Sequence, residues 1–205
     1  MILDNKLNIT DAVELARVEE KLSKTQAHKL FTNGFLATLD VGSFAALAAI
    51  HSYLFGEIYP FAGKVRSQNI SKGNFRFAPV MYLAVSLKNI TEMPQSNYDE
   101  ILEKYVEMNI AHPFREGNGR STRIWLDQIL KQELKQVVDW SKVDKNDYLL
   151  AMERSPVKDV EIKVLLIAAL TDKIDDSAIY MKGIDASYYY EGYTLYKTDD
   201  LEKGV

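Results

Sequence analysis

Apolar side chains recur every three or four residues along most of the chain, which is the period of a helix with one buried face. The clearest example lies within residues 97–110, where this spacing is filled by Tyr98, Ile101, Leu102, Tyr105 and Asn109. Further helices are predicted at 10–22, 43–55, 79–92, 143–152 and 155–170, and one begins near Asn118 and continues to Leu134. The pattern therefore indicates an all-α fold.

Polar residues indicate where individual helices begin and which of their faces is exposed to solvent. Thr10 is a reasonable N-cap for the first helix, and we expect Glu19 and Glu20 to belong to its solvent-exposed face. Ser155 followed by Pro156 is a strong start signal, because serine caps a helix well and proline suits the first turn.

One short stretch departs from the helical pattern. Residues Val65 to Ser71 and Phe75 to Ala78 flank Lys72-Gly73-Asn74, which is a signal for a β-hairpin. A two-stranded ribbon alone is only marginally stable, so the hairpin needs a partner. It either covers the core or offers an edge strand to an extended peptide.

Composition narrows the class of protein. The 205 residues suit one domain, 1–205, and 47% hydrophobic with 26% charged residues is ordinary for a soluble globular protein. The absence of cysteine excludes disulfides and favours a cytoplasmic location. The net charge of −4 shows no basic face, so we expect no nucleic-acid partner. We expect no signal peptide and no membrane span, because no apolar run is long enough.

The segment 112–123 holds the chain's most informative chemistry. Its sequence is His112-Pro113-Phe114-Arg115-Glu116-Gly117-Asn118-Gly119-Arg120-Ser121-Thr122-Arg123. Pro113 ends the preceding helix, since the residue before a proline is disfavoured in the α region, so His112 lies at the helix exit. The next helix begins after Gly117 with Asn118 as its N-cap. Its first turn offers unpaired N–H groups, which form an anion site.

The side chains of this loop match the chemistry of phosphate transfer. Arg120 and Arg123 lie on one helix face and suit phosphate oxygens. Glu116 is a hard oxygen ligand of the kind that holds Mg²⁺ beside phosphates. His112 has a pKa suited to taking a proton from an attacking hydroxyl. The loop thus contains the groups needed to transfer a phosphorus group from a nucleotide to an alcohol.

A metal-protein interpretation is weaker. The chain has three histidines and no cysteine, too few for a dedicated transition-metal site. His51 lies inside the apolar helix at 43–55 with no carboxylate or nucleophile at helical spacing, and it is interpreted as a core residue.

The loop resembles the signature His-x-Phe-x-Asp/Glu-Gly-Asn-Gly-Arg-x-x-Arg of the Fic family of protein AMP-transferases, with every fixed position kept. The resemblance implies an all-helical Fic fold, a β-hairpin flap over the active-site loop, and transfer of AMP from Mg·ATP to a Ser, Thr or Tyr hydroxyl of a target protein. It implies His112 as the base and Glu116 as the metal ligand. The nucleotide-binding residues would be Phe114, Gly117, Asn118, Gly119, Arg120 and Arg123, with Phe114 anchoring the loop in the core.

The resemblance extends to two other stretches. In the family the hairpin flap aligns the target side chain with the histidine, a role that passes here to Ser71, Lys72, Gly73, Asn74, Phe75, Arg76 and Phe77. The C-terminal Ser187-x-x-x-Glu191-Gly192 matches the inhibitory motif of the self-inhibited class, on a helix at about 175–193. Glu191 would then occupy Arg123, and Tyr188, Tyr189 and Tyr190 become candidates for self-modification. The alternative is an aromatic helix that only closes the core.

Three functions stay open at this point. AMP transfer is favoured, and some family members also remove AMP at the same site. Phosphate transfer, as in Doc-type toxins, is the second, although those loops depart from the glycine that is present here as Gly119. A catalytically silent ATP-binding module is the third, and the intact His112 argues against it. The target protein and any homo-oligomer are not determined by the sequence.

Overall fold

The computed structural model describes residues 2–72 and 75–191, and for Glu191 the backbone alone. Within these residues the chain forms eight α-helices, which confirms the all-α prediction. Their bounds are α1 Ala12–Thr32, α2 Phe44–Phe55, α3 Val80–Glu92, α4 Tyr98–Ala111, α5 Asn118–Leu134, α6 Lys145–Arg154, α7 Val160–Ile167 and α8 Ser177–Glu191. Short 3₁₀ helices span Phe35–Thr38 and Trp140–Lys142.

Two small antiparallel ribbons accompany the helices. The predicted hairpin pairs β1 (Ser71–Lys72) with β2 (Phe75–Arg76), so its strands are shorter than the sequence suggested. A second ribbon, β3 (Val137–Val138) with β4 (Leu170–Thr171), joins the segment after α5 to the segment before α8.

The core is centred on α5, which packs against both α2 and α4. Its Trp125 is fully buried and donates from Nε1 to the carbonyl of Ser43, the N-cap residue of α2, at 3.0 Å. The helix α1 packs against α2, and α8 lies against α1 and the 3₁₀ turn at Trp140. Both ends of the loop between α4 and α5 are therefore fixed by buried helices.

The first helix differs from its prediction. It begins at Ala12 with Asp11 as the N-cap, whose carboxylate accepts from the Glu14 amide at 2.8 Å, and it continues to Thr32. Glu19 and Glu20 are not solvent-exposed, since they are 2% and 0% accessible. The physical reason is that each has a buried cationic partner, Arg120 for Glu19 and Lys24 for Glu20.

The predicted helix start at Ser155 is also wrong. Ser155 is the C-cap residue of α6, and its hydroxyl donates to the carbonyl of Met152 at 2.8 Å. A turn follows in which the amides of Val157 and Lys158 both bond to the carbonyl of Arg154, and α7 begins only at Val160. Among the described helices, none is both long and apolar enough to cross a membrane.

Candidate active site

A cavity of about 700 Å³ opens between the hairpin, the loop that joins α4 to α5, and α6. The loop lines it with His112, Arg115, Glu116, Gly117, Asn118 and Gly119, and α5 adds Arg123. The hairpin side supplies Ile70, Ser71, Lys72, Phe75 and Phe77, and the opposite side supplies Tyr148, Leu149, Met152, Glu153 and Tyr190. Most of the residues selected from the sequence therefore meet at one cavity.

His112 ends α4 in a left-handed conformation with φ 47°, and its amide still donates to the Met108 carbonyl at 3.0 Å. A non-glycine residue in this region carries strain, which is held by surrounding contacts. The Phe77 ring stacks on the imidazole with centroids 3.6 Å apart. The conformation turns the histidine out of the helix and toward the cavity wall.

The imidazole of His112 is held in its neutral form. Burial lowers its pKa to about 3, and the nearby charges of Arg66 and Lys72 act in the same direction, while the Asn109 carbonyl opposes them. At neutral pH the ring therefore has a lone pair with which to accept a proton.

The loop folds around Phe114 and Asn118. Phe114 is fully buried, as the predicted anchoring role requires. The Asn118 side chain accepts from the Phe114 amide and donates to the Phe114 carbonyl, both at 2.8 Å. The prediction of Asn118 as N-cap is wrong, because that position is taken by Gly117 and Asn118 is the first helical residue. Its side chain closes the loop instead.

Gly117 is required at its position. Its φ is +75°, and a Cβ there would lie 2.5 Å from a ring carbon of Phe55. Both the left-handed backbone and the close approach exclude a side chain. The backbone of the loop can therefore lie directly on the aromatic core.

His51 has a role that its sequence context did not reveal. It is fully buried, as predicted, but its Nε2 donates to the Glu116 carbonyl at 2.8 Å while its Nδ1 accepts from the Gly63 amide at 2.9 Å. Burial lowers its pKa to about 4. The centroid of its ring also lies 3.9 Å from that of Phe114. A core histidine therefore holds the cavity loop on the side that faces the core.

Glu116 faces the cavity with its side chain 36% exposed. One oxygen, Oε1, accepts from Arg120 at 2.9 Å and from the Gly117 amide at 3.0 Å. A single half-exposed carboxylate of this kind suits Mg²⁺, which takes one or two protein carboxylates and completes its shell with phosphates and water. The described residues contain no cluster of three or more metal-binding side chains.

Arg120 and Arg123 have different surroundings despite their spacing. Arg120 is 2% exposed, does not line the cavity, and bonds through its other terminal nitrogen to Glu19, which also accepts from the Tyr59 hydroxyl. Its guanidinium lies between the rings of Phe55 and Tyr188, at 4.9 and 5.0 Å. The geometry makes Arg120 a support behind Glu116.

Arg123 lies on the cavity wall inside an aromatic cage formed by Trp140, Tyr148 and Tyr190. Its guanidinium carbon is 5.5, 5.1 and 4.9 Å from the three ring centres. Such rings attract a cation through their quadrupoles and hold the guanidinium in one place. The cage combines residues from three separate segments.

The three tyrosines of the predicted self-modification segment, on the C-terminal helix, differ in solvent exposure. Ser187, Tyr188 and Tyr190 are buried, and the Tyr188 and Tyr190 hydroxyls bond to the Ser23 hydroxyl and the Val143 carbonyl. Tyr189 is 53% exposed. The Glu191 side chain and Gly192, which belong to the predicted inhibitory motif, lie outside the described residues.

The hairpin lies beside the histidine. Ser71, Lys72, Phe75 and Phe77 line the cavity, and Arg76 is exposed on β2. Gly73 and Asn74, which were also predicted to belong to the flap, lie outside the described residues. Arg66, which the sequence did not single out, joins the hairpin to the His112 carbonyl at 2.8 Å.

These features define a helical protein whose cavity places a neutral histidine, a half-exposed carboxylate and an arginine around a helix start. Such a cavity can bind a phosphate-containing ligand and accept a proton from it or from a second substrate. The comparison with known proteins agrees with this description.

Residues 42–130 match the model of the Fic/DOC family. The chain is 29% identical over 157 residues to the protein adenylyltransferase VbhT of Bartonella schoenbuchensis, covering 71% of this chain and 32% of that protein. It is 29% identical over 166 residues to the "Probable protein adenylyltransferase y4lH" of Sinorhizobium fredii, covering 75% of this chain and 83% of that protein.

A solved structure has the same fold. BepC of Bartonella tribocorum, a VirB-translocated effector crystallised with bound AMPPNP, matches with a TM-score of 0.67 at 19% identity, over 83% of this chain and 93% of that chain. Over residues 42–130 the chain is therefore similar to the Fic/DOC family. It spans about a third of the length of VbhT.

Proposed function

We propose that this protein transfers AMP from ATP to a hydroxyl side chain of a target protein. The observation that carries the proposal is the neutral His112 on the wall of a cavity that also holds Glu116 and Arg123. The names of VbhT and y4lH support the same activity, and the AMPPNP bound to BepC supports ATP as the nucleotide.

The reaction follows from the positions of these groups. The target hydroxyl oxygen attacks the α-phosphorus, its proton passes to the His112 imidazole, and the bond from the α-phosphorus to the bridging oxygen breaks so that pyrophosphate leaves with the electron pair. Arg123 and the N–H groups at the start of α5 bind phosphate oxygens. Arg120 keeps the Glu116 carboxylate in place.

Glu116 would hold the magnesium ion, which neutralises phosphate charge when it is bound. A pKa of about 3 makes His112 a weak base by itself. Negative charge near an imidazole raises its pKa. Binding of the triphosphate should therefore raise the basicity of His112 at the moment when it is needed.

The C-terminal helix serves as an inhibitor in this proposal. Ser187 and Glu191 form the inhibitory motif, and Glu191 occupies Arg123 so that the triphosphate cannot align for attack. A displacement of about 1 Å can cost about a hundredfold in rate. Self-modification is expected first at Tyr189, which is 53% exposed, since the Tyr188 and Tyr190 hydroxyls are buried and hydrogen-bonded.

ATP labelled separately at the α and γ positions tests the activity. We expect α-label on protein, strongly increased by Glu191→Gly and reduced about 10²–10⁴-fold when His112→Ala is added. Glu202→Gly, an acid further along the same terminus, is the matched control. γ-label on protein would instead support phosphate transfer, and no label with intact ATP binding would support a silent binding module.

The magnesium assignment has its own test. Glu116→Ala should flatten the magnesium dependence of ATP binding in calorimetry, whereas Glu153→Ala, which changes another carboxylate on the cavity wall, should keep it. Equal magnesium dependence in Glu116→Ala and the unchanged protein would remove Glu116 from the metal site.

A further inference from the structure

Arg66 is a buried arginine that binds carbonyl groups and not carboxylates. Its side chain is 5% exposed, and within the described residues its guanidinium forms no ion pair. It donates to four carbonyl oxygens, those of His112 at 2.8 Å, Gln68 at 2.8 Å, Ala78 at 2.6 Å and Ala111 at 3.1 Å. A buried charge is costly unless such bonds compensate it, so the position demands an arginine.

The four carbonyls belong to two parts of the cavity wall. Ala111 and His112 end α4, where carbonyl groups lack helical partners and the helix dipole is negative. Gln68 precedes β1 and Ala78 follows β2, so they are the two stems of the hairpin. One planar guanidinium therefore joins the histidine to both stems.

Main-chain contacts tighten the same junction. The Arg66 amide donates to the Pro113 carbonyl at 2.8 Å, and the Ala78 amide donates to the Ile110 carbonyl at 2.9 Å. The left-handed conformation of His112 is thus held on both sides of the residue.

We propose that Arg66 is a positioning residue for AMP transfer, which fixes the His112 base and the target-docking hairpin in one relative orientation. The inference rests on the proposed function. It explains how a ribbon of two-residue strands, too short to be stable alone, can place a target hydroxyl against the base. Lysine cannot replace the arginine, since one ammonium has three donors at a single point and lacks the rigid fork.

Two variants separate geometry from charge. Arg66→Lys keeps the charge and loses the fork, whereas Arg66→Gln loses both. In the Glu191→Gly background we expect each to lower kcat for the target by about 10–100-fold and to raise KM, with ATP affinity changed less than about threefold. Arg17→Lys, an exposed arginine on α1, is the matched control.

The pH profile gives a readout that a purely structural role would not move. The Arg66 charge lowers the pKa of His112, as does Lys72. Its loss in Arg66→Gln should move the acid limb of the rate profile to higher pH, because the base must be deprotonated to act. Arg66→Lys should leave that limb near its original position while its kcat falls.

Hydrogen exchange tests the junction independently of activity. Both variants should accelerate exchange of the Ala78 and His112 amides, while the Ser121 amide, which donates to the carbonyl of the N-cap residue Gly117, stays protected. If Arg66→Gln does not fold, Arg66→Lys decides. Unchanged exchange and kcat in Arg66→Lys would overturn the inference. If the Glu191→Gly protein transferred no α-label, the proposed function would be overturned. Hydrogen exchange would still test whether Arg66 holds His112 and the hairpin together.

Discussion

The buried pair of Glu19 and Arg120 gives the sharpest stability prediction. Glu19 is 2% exposed and accepts from both Arg120 and the Tyr59 hydroxyl. Replacement by Gln keeps the volume and an acceptor for the tyrosine but removes the negative charge. Arg120 would lose its buried carboxylate partner Glu19 and would keep the more exposed Glu116 at 2.9 Å.

The expected size follows from the burial of both partners. Removing one partner of a buried ion pair costs about 3–5 kcal/mol. Glu19→Gln should lie near the lower end, at about 3 kcal/mol, because Glu116 remains. A chain of this size loses about 2–4 °C of melting temperature per kcal/mol, so Tm should fall by about 6–12 °C.

Thermal unfolding followed by circular dichroism measures this change. Glu14→Gln, in the exposed first turn of the same helix, is the control and should stay within about 0.5 kcal/mol of the unchanged protein. We also expect weaker magnesium binding in Glu19→Gln, since without the Glu19 charge the Arg120 guanidinium attracts the Glu116 carboxylate more strongly. A Tm equal to that of Glu14→Gln would refute the claim that this pair supports the cavity loop.

Two further predictions concern the loop and its acid sensitivity. Gly117→Ala should cost about 2–4 kcal/mol from backbone strain and overpacking, whereas Gly34→Ala, with the same left-handed backbone but open space, should cost about 1–2 kcal/mol by strain alone in the same thermal assay. In the folded protein the pKa values of His51 and His112 are lowered to about 4 and 3, and that of Asp127 is raised to about 7. Between about pH 4 and 6.5 unfolding therefore lets both histidines bind a proton and makes Asp127 release one, which is a net uptake of one proton. Stability should therefore fall by about 1.4 kcal/mol per pH unit on acidification, and His51→Gln should flatten this slope in denaturant titrations; an equal slope would contradict the assignment.

The helices were predictable where the buried face is apolar. Within α4, Ile101, Leu102 and Tyr105 were selected from spacing alone and are at most 1% exposed. Spacing also placed Glu19 four residues after the buried Leu15, on the same face of α1. Glu19 was nevertheless predicted to be exposed because it is charged. The partner that allows it to be buried, Arg120, lies 101 residues away in the chain and could not be identified from the local sequence.

The cavity loop was predictable in composition and less so in its supports. His51 and Arg66 bond to backbone carbonyl groups that lie 65 and 46 residues away. Every residue has a backbone carbonyl, so the residue types do not show which one will be a partner. The ribbon of β3 and β4 has only two residues in each strand, so no period could reveal it. Ser155 had the right residue types for a helix start, but its hydroxyl bonds backward to α6.

The aromatic cage around Arg123 has an optical consequence. The chain has two tryptophans, and Trp125 is sealed in the core whereas Trp140 forms one side of the cage. A ligand that draws the guanidinium toward its phosphates changes the charge beside the Trp140 indole and leaves the surroundings of Trp125 unaltered. The emission of Trp140, isolated with Trp125→Phe, therefore reports how Arg123 is shared between nucleotide and protein, without a label and in real time.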